Sequence, residues 1–113
     1  MLNQTRNAQL ADRAAVANTS RLRRTGLLQH ERLEPGDGLW IVPCEAVHTF
    51  GMKFEIDVLF LNKKKQVLKI RHSMPRRRMS LLLWAHSVLE LPAGTAAQTG
   101  TMRGDQLEFE KLP

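Results

Sequence analysis

The apolar positions of the chain fall in short runs broken by turn-forming residues. The clearest run is Ile56-Asp57-Val58-Leu59-Phe60-Leu61. It is rich in β-branched and aromatic residues and has the length of an ordinary strand. The polar stretch Asn62-Lys63-Lys64-Lys65 follows, and Val67, Leu68 and Ile70 then begin a return strand. This pattern predicts a hairpin that pairs residues 56–62 with 66–72. Residues 39–43 (LWIVP) read as a buried strand closed by Pro43. Residues 47–50 (VHTF) form another short strand, interrupted by Gly51. Residues 87–91 suit an extended segment ending at Pro92. Leu107 and Phe109 alternate with Glu108 and Glu110, which predicts an exposed edge strand at 107–110.

Helical signals are fewer. Asn18, Thr19 or Ser20 can cap a helix through residues 21–30, with Leu22, Leu27 and Leu28 on one face and Arg21, Arg23 and Arg24 toward water. Gly26 weakens that helix or ends its first part. A second short helix starts near Ala93 and stops at Gly100. Residues 9–16 (QLADRAAV) fit a strand or a helix equally well. Residues 34–38 and Gly104-Asp105 are turns by composition, and 73–79 form a basic loop around Pro75. Residues 1–8 are polar and expected to be flexible, leaving one domain over 9–113. The expected class is α+β and mostly β. It is a curled antiparallel or mixed sheet forming a small barrel-like domain with one or two short helices.

Composition narrows the partners. The chain has 113 residues and a net charge of +6, which favours anionic partners such as nucleic acid or anionic lipid. Aromatic content is 5% with no Tyr, too little for both a core and a base-stacking platform. The single cysteine, Cys44, excludes an intrachain disulfide and a four-Cys zinc site. The first twenty residues lack the apolar run of a signal peptide, and no stretch approaches the ~20 apolar residues of a membrane span. A cytoplasmic protein is expected.

Candidate chemistry concentrates in residues 43–57, where a thiol, an imidazole, a hydroxyl and an acid share a turn-rich segment. Cys44 and His48 can form a thiolate–imidazole pair, with Asp57 or Glu90 as the orienting acid. The alternative is a buried structural Cys and a His that anchors a turn. Cys44, His48 and Asp57, with His72, His86 and Glu90, also contain metal-ligating types, but no local pair has motif spacing, so no metal and no cofactor is expected. Asp57 must be paired, hydrogen-bonded or exposed. It is either a site acid or an acceptor for backbone N–H groups of the 48–54 loop. Glu90 poses the same choice, because alternation with Leu89 and Leu91 can point it to solvent. Trp40 and Met52 read first as core residues. The basic groups at Arg21, Arg23 and Arg24, at Lys63–Lys65, and at Arg71 and Arg76–Arg78 can contact phosphates, but no nucleic-acid-binding motif accompanies them. No P-loop, dinucleotide, nucleophile-elbow, zinc-protease or calcium-loop pattern occurs.

Several pieces together are specific. They are Arg24-Thr25-Gly26-Leu27-Leu28, the run from Leu33 to Ile41, Pro43-Cys44, the run from Val47 to Leu61, the run from Val88 to Thr95, and Gly104-Asp105. In this order the chain resembles the domain-of-unknown-function 192 family over most of residues 19–110. It departs from the family pattern at Glu55, where Pro is usual, and near Gly51, where Trp is common. The resemblance implies a compact domain with a curled, barrel-like sheet and one or two small helices. It implies no reaction, cofactor or partner. Its members often carry export signals, and this chain shows none. The leading functional expectation is a binding or interaction module. His48, Thr49 and Asp57 would orient a small polar ligand or peptide, with Pro43, Cys44 and Glu90 nearby, and Trp40 and Met52 would give apolar contact. The alternatives are a thiol-dependent enzyme using Cys44 and His48, and a weak nucleic-acid binder acting through the basic loops.

Overall fold

The computed structural model describes residues 1–109. Ten strands and two helices follow one another along the described residues: β1 (Leu2–Asn3), β2 (Ala8–Gln9), β3 (Arg13–Ala17), α1 (Ser20–Thr25), β4 (Asp37–Ile41), β5 (Ala46–His48), β6 (Ile56–Leu61), β7 (Val67–Met74), β8 (Met79–Leu81), β9 (Ser87–Pro92), α2 (Thr95–Thr99) and β10 (Leu107–Glu108). The fold is mostly β. Of the predicted edge strand, Glu110 lies outside the described residues.

The central sheet has the order β3-β4-β9-β6-β7. β3 and β4 are parallel and the other pairs antiparallel, so the sheet is mixed. Two smaller sheets accompany it, β10-β1-β2 and β5-β8. The central sheet ends at β3 and β7, which do not pair, so the barrel implied by the resemblance does not close.

The predicted hairpin is present and extends to Met74, with register shifts on either side of the Val58–Phe60 segment. Asn62 shapes its turn. Its Oδ1 accepts the N–H of Lys64 at 3.0 Å and of Gln66 at 2.9 Å. Every residue of β6 is buried because both faces of the central sheet are covered. Ile56, Val58 and Phe60 pack with Ile41, Met52, Met74 and Val88 on one side. Leu59 and Leu61 pack with Leu10, Leu89, Leu91 and Leu107 on the other.

Four expectations change. The ambiguous segment 9–16 contributes most of β3, paired in parallel with β4. Helix α1 is shorter than expected. The Thr19 hydroxyl accepts the Leu22 N–H at 3.1 Å, but Gly26 at φ 48° stops the helix, leaving Leu27 and Leu28 in a following turn. Leu22 is 47% exposed and does not face the core. The basic loop shrinks to residues 75–78, since Met74 ends β7 and Met79 begins β8. Residues 1–8, expected to fray, instead hold β1 and β2, with Met1 and Asn3 buried. Asn3 Nδ2 donates to Thr101 Oγ1 and Asp105 Oδ2, both at 3.0 Å, and Arg6 Nε donates to the same Asp105 oxygen at 2.9 Å. Burial alone would raise the Asp105 carboxyl. The hydrogen bonds from Arg6, Asn3 and the Met102 N–H outweigh it and take the carboxyl down to about 2.

Among the described residues, no helix is long and apolar enough to cross a membrane.

Candidate cavity beneath the first helix

Strand parity sorts the candidate residues. On β9, Glu90 pairs with Leu39 of β4 and Val58 of β6, on the face that Phe60 and Val88 also occupy. Leu89 pairs with Trp40, and Leu91 with Asp57, on the opposite face. Glu90 therefore belongs to the side on which α1 and the 43–52 segment lie, and Asp57 and Trp40 do not. Alternation does turn Glu90 away from Leu89 and Leu91, as expected. That second face is also covered, so Glu90 is buried, not solvated.

A cavity of about 670 Å³ opens on this side. One wall is α1 and the turn after it, with Arg23, Arg24, Leu27 and Leu28. The other is the 43–52 segment, which contributes Pro43, Cys44, His48 and Met52, and Glu90 completes the lining. Glu90 is 3% exposed and has no hydrogen bond or ion pair with any described residue. Burial pushes its carboxyl up to about 7. Its oxygens are not sealed in the core, so the carboxyl without a protein partner is presented to the cavity. Arg23 makes a 3.4 Å hydrogen bond to the Ser20 hydroxyl, and neither Arg23 nor Arg24 forms an ion pair with a described residue. The cavity thus joins two guanidinium groups without carboxylate partners to one carboxyl without a donor.

The remaining candidates have other places. Asp57 is fully buried and accepts three backbone N–H groups, from Ser73 at 2.8 Å, Gly94 at 3.2 Å and Ala96 at 2.8 Å. It fastens the end of β7 and the start of α2 to β6, where the sequence suggested the 48–54 loop. Thr49 is buried beside β8. Its hydroxyl donates to the Pro75 carbonyl at 2.6 Å and accepts the Arg78 N–H at 2.9 Å. Trp40 packs edge-on against Phe109 with ring centroids 4.8 Å apart, and the Lys65 ammonium lies 5.5 Å from its ring. These three residues do not line the cavity.

Cys44 and His48 both line it, but they make no hydrogen bond to each other. The thiol donates to the Ala46 carbonyl at 3.1 Å, and burial pushes its pKa up. That direction is opposite to the one a thiolate nucleophile needs. Among the described residues no three His, Cys, Asp or Glu side chains stand together as a metal-ligand set. Cys44, His48, Asp57, His72, His86 and Glu90 are accordingly not gathered around one point.

Arg23, Arg24, Leu27 and Leu28 were not among the expected site residues. The Arg pair reads as a solvated helix face because only the docking of α1 over the sheet gives it a cavity to face. The available signal was the Arg24–Leu28 piece of the family pattern, in which Leu27 is buried in the core and Leu28 packs against it while Arg24 stays exposed.

The comparisons agree with this architecture. The family profile described as Uncharacterized ACR matches residues 2–109. The chain is similar to a UPF0127 protein of Thermococcus sibiricus, 26% identical over 118 aligned residues that cover 97% of this chain and 74% of the relative. A protein of unknown function from Novosphingobium aromaticivorans shares the fold with a TM-score of 0.78 at 21% identity, covering 85% of this chain and 74% of that one. A candidate transcription regulator from Sinorhizobium meliloti does so with a TM-score of 0.78 at 22% identity, covering 84% and 79%. With its profile matched over residues 2–109, the chain belongs to the domain-of-unknown-function 192 (DUF192) family of uncharacterised proteins.

Proposed function

We propose that the cavity beneath α1 binds a small polar ligand or peptide end bearing an anionic group, and that the protein acts as a binding module. One observation carries this reading: the buried Glu90 carboxyl has no partner, and it lines the same cavity as Arg23 and Arg24. A ligand that offers an anion to the arginines and a hydrogen-bond donor to Glu90 would satisfy all three groups. Pro43, Leu28 and Met52 would supply apolar contact, and His48 would add a polar contact. Asp57, Thr49 and Trp40 hold the scaffold in this reading. The thiol-enzyme alternative draws no support from a Cys44 that donates to a carbonyl and is pushed toward the neutral form.

The test is a thermal-shift screen of small carboxylates, amino acids and short peptides, followed by titration calorimetry and amide chemical-shift mapping. Hits should perturb Cys44, His48 and Met52. They should weaken by about tenfold or more in R23Q/R24Q, the loss expected for charge-assisted hydrogen bonds. Hits that map elsewhere, or that bind the double variant equally well, would refute the assignment.

A further inference from the structure

The β5–β8 ribbon turns one face to solvent. In each strand the middle residue, Val47 or Ser80, is buried and its neighbours are exposed. The register sets His48 beside Met79 and Ala46 beside Leu81. Phe50 lies against His48 with ring centroids 5.9 Å apart. β8 then runs into a turn closed by the Ala85 N–H on the Leu82 carbonyl at 3.2 Å. Leu83 and Trp84 stand out from that turn, 64% and 91% exposed. The Trp84 N–H donates to Glu45 Oε2 at 2.6 Å, so the backbone is tied down while the indole is not. Phe50, Met79, Leu81, Leu83 and Trp84 make up five of the eight large apolar side chains exposed among the described residues. They gather on this ribbon and the segments that continue it. A patch of this kind on a soluble surface marks an interaction site.

Its electrostatic setting is mainly cationic. Residues 58–89 contain eight Lys and Arg residues and no Asp or Glu. Arg76, Arg77 and Arg78 form the exposed approach to β8. The Lys69 ammonium donates to the Leu81 carbonyl at 3.0 Å, and Lys63 lines a second hollow with Trp84. Glu45 is the carboxylate at this turn, and it is engaged by the Trp84 N–H.

We propose that the β5–β8 ribbon and its Leu83–Trp84 turn dock onto an anionic lipid bilayer. This surface adjoins the cavity beneath α1, whose lining includes Ala46 and His48 of the ribbon, but its own determinants, Trp84 and Arg76–Arg78, lie outside that lining. A second copy of the chain fits poorly, because two surfaces with the same excess of cations repel. The turn presents its most exposed side chains outward, so it suits insertion better than it suits receiving a peptide. Trp settles at the headgroup level, Leu and Met reach the acyl boundary, and Arg and Lys meet anionic headgroups.

The test uses the full chain with phosphatidylcholine vesicles, with and without about 30% phosphatidylserine. The serine-containing vesicles should co-sediment the protein and shift Trp emission to the blue, and about 0.5 M salt should release it. Trp84→Ala should abolish the shift and weaken binding about tenfold. Changing Arg76, Arg77 and Arg78 together to Gln should weaken binding about 100-fold, at roughly fivefold per charge. These side chains are exposed, and unchanged denaturant midpoints would confirm that the variants fold. Three results would overturn the proposal: no sedimentation with anionic vesicles at low salt, equal binding to neutral vesicles, or binding that leaves Trp84 emission unshifted. Association with duplex DNA or an acidic peptide in place of vesicles, through the same residues, would assign the surface to that partner and overturn the lipid reading.

Discussion

Glu90→Gln removes a charge with almost no change in volume, at the point where the cavity meets the core. In the folded chain the carboxyl titrates at about 7, against an ordinary value of 4.5, because burial penalises its charged form. That gap corresponds to about 3 kcal/mol. The folded state holds the proton more tightly than the unfolded state, so between about pH 4.5 and 7 it carries more protons. Stability from this group is therefore complete below the unfolded value and is lost as pH rises through the folded one. The Gln variant has no such loss. The difference between variant and parent should be small and flat near pH 4 and grow in favour of the variant by about 3 kcal/mol toward pH 8. Guanidinium unfolding of both proteins at intervals from pH 4 to 8 measures this directly. Groups common to both chains cancel in the comparison, and a constant packing penalty of the amide shifts the curve without bending it. A difference that stays within ~0.5 kcal/mol across the whole range would refute the reasoning, since Glu90 would then titrate alike in both states.

Two further outcomes follow from the same geometry. Asp57→Ala leaves three backbone N–H groups without their acceptor and should cost about 3–6 kcal/mol. Amide exchange should speed up first at Ser73, Gly94 and Ala96, and a loss below ~1 kcal/mol would contradict the pinning role. Alkylation of Cys44 should show a pH midpoint above the ordinary 9.0, and a midpoint below that value would reopen the thiol-enzyme reading.

The hairpin was legible because β6 is buried on both faces and so reads as one continuous apolar run. β3 was not, because Arg13–Ala17 has little strand character of its own and is an edge strand set by its parallel neighbour β4. The N-terminal strands were hidden for a related reason. Asn3 looks like a surface residue until Thr101 and Asp105, about a hundred residues away, arrive beside it. In the site, Cys44, His48, Met52 and Glu90 stood out as candidates and do line one cavity. Asp57 stood out equally and lies on the other face, a distinction of strand parity that the spacing within residues 43–57 cannot carry through the turns. Arg23 and Arg24 required the docking of α1, and no local pattern encodes that.

The strand order carries a consequence for how the chain assembles. β9 is the middle strand of the central sheet, yet β3, β4, β6 and β7 all precede it in sequence. During synthesis the β6–β7 hairpin and the β3–β4 pair are both complete before the strand that joins them exists. Until Ser87–Pro92 emerges, β4 and β6 each hold an open backbone edge beside side chains destined for the core. The central sheet is then completed by the insertion of one strand between two preformed halves, a non-local event of the kind that makes folding slow, before α2 and β10 are added. The span most exposed to misassembly is the interval between the hairpin and β9, residues 75–86, and it carries Arg76, Arg77 and Arg78 without a carboxylate. Mutual repulsion among nascent copies is built into the segment where unpaired edges are most dangerous.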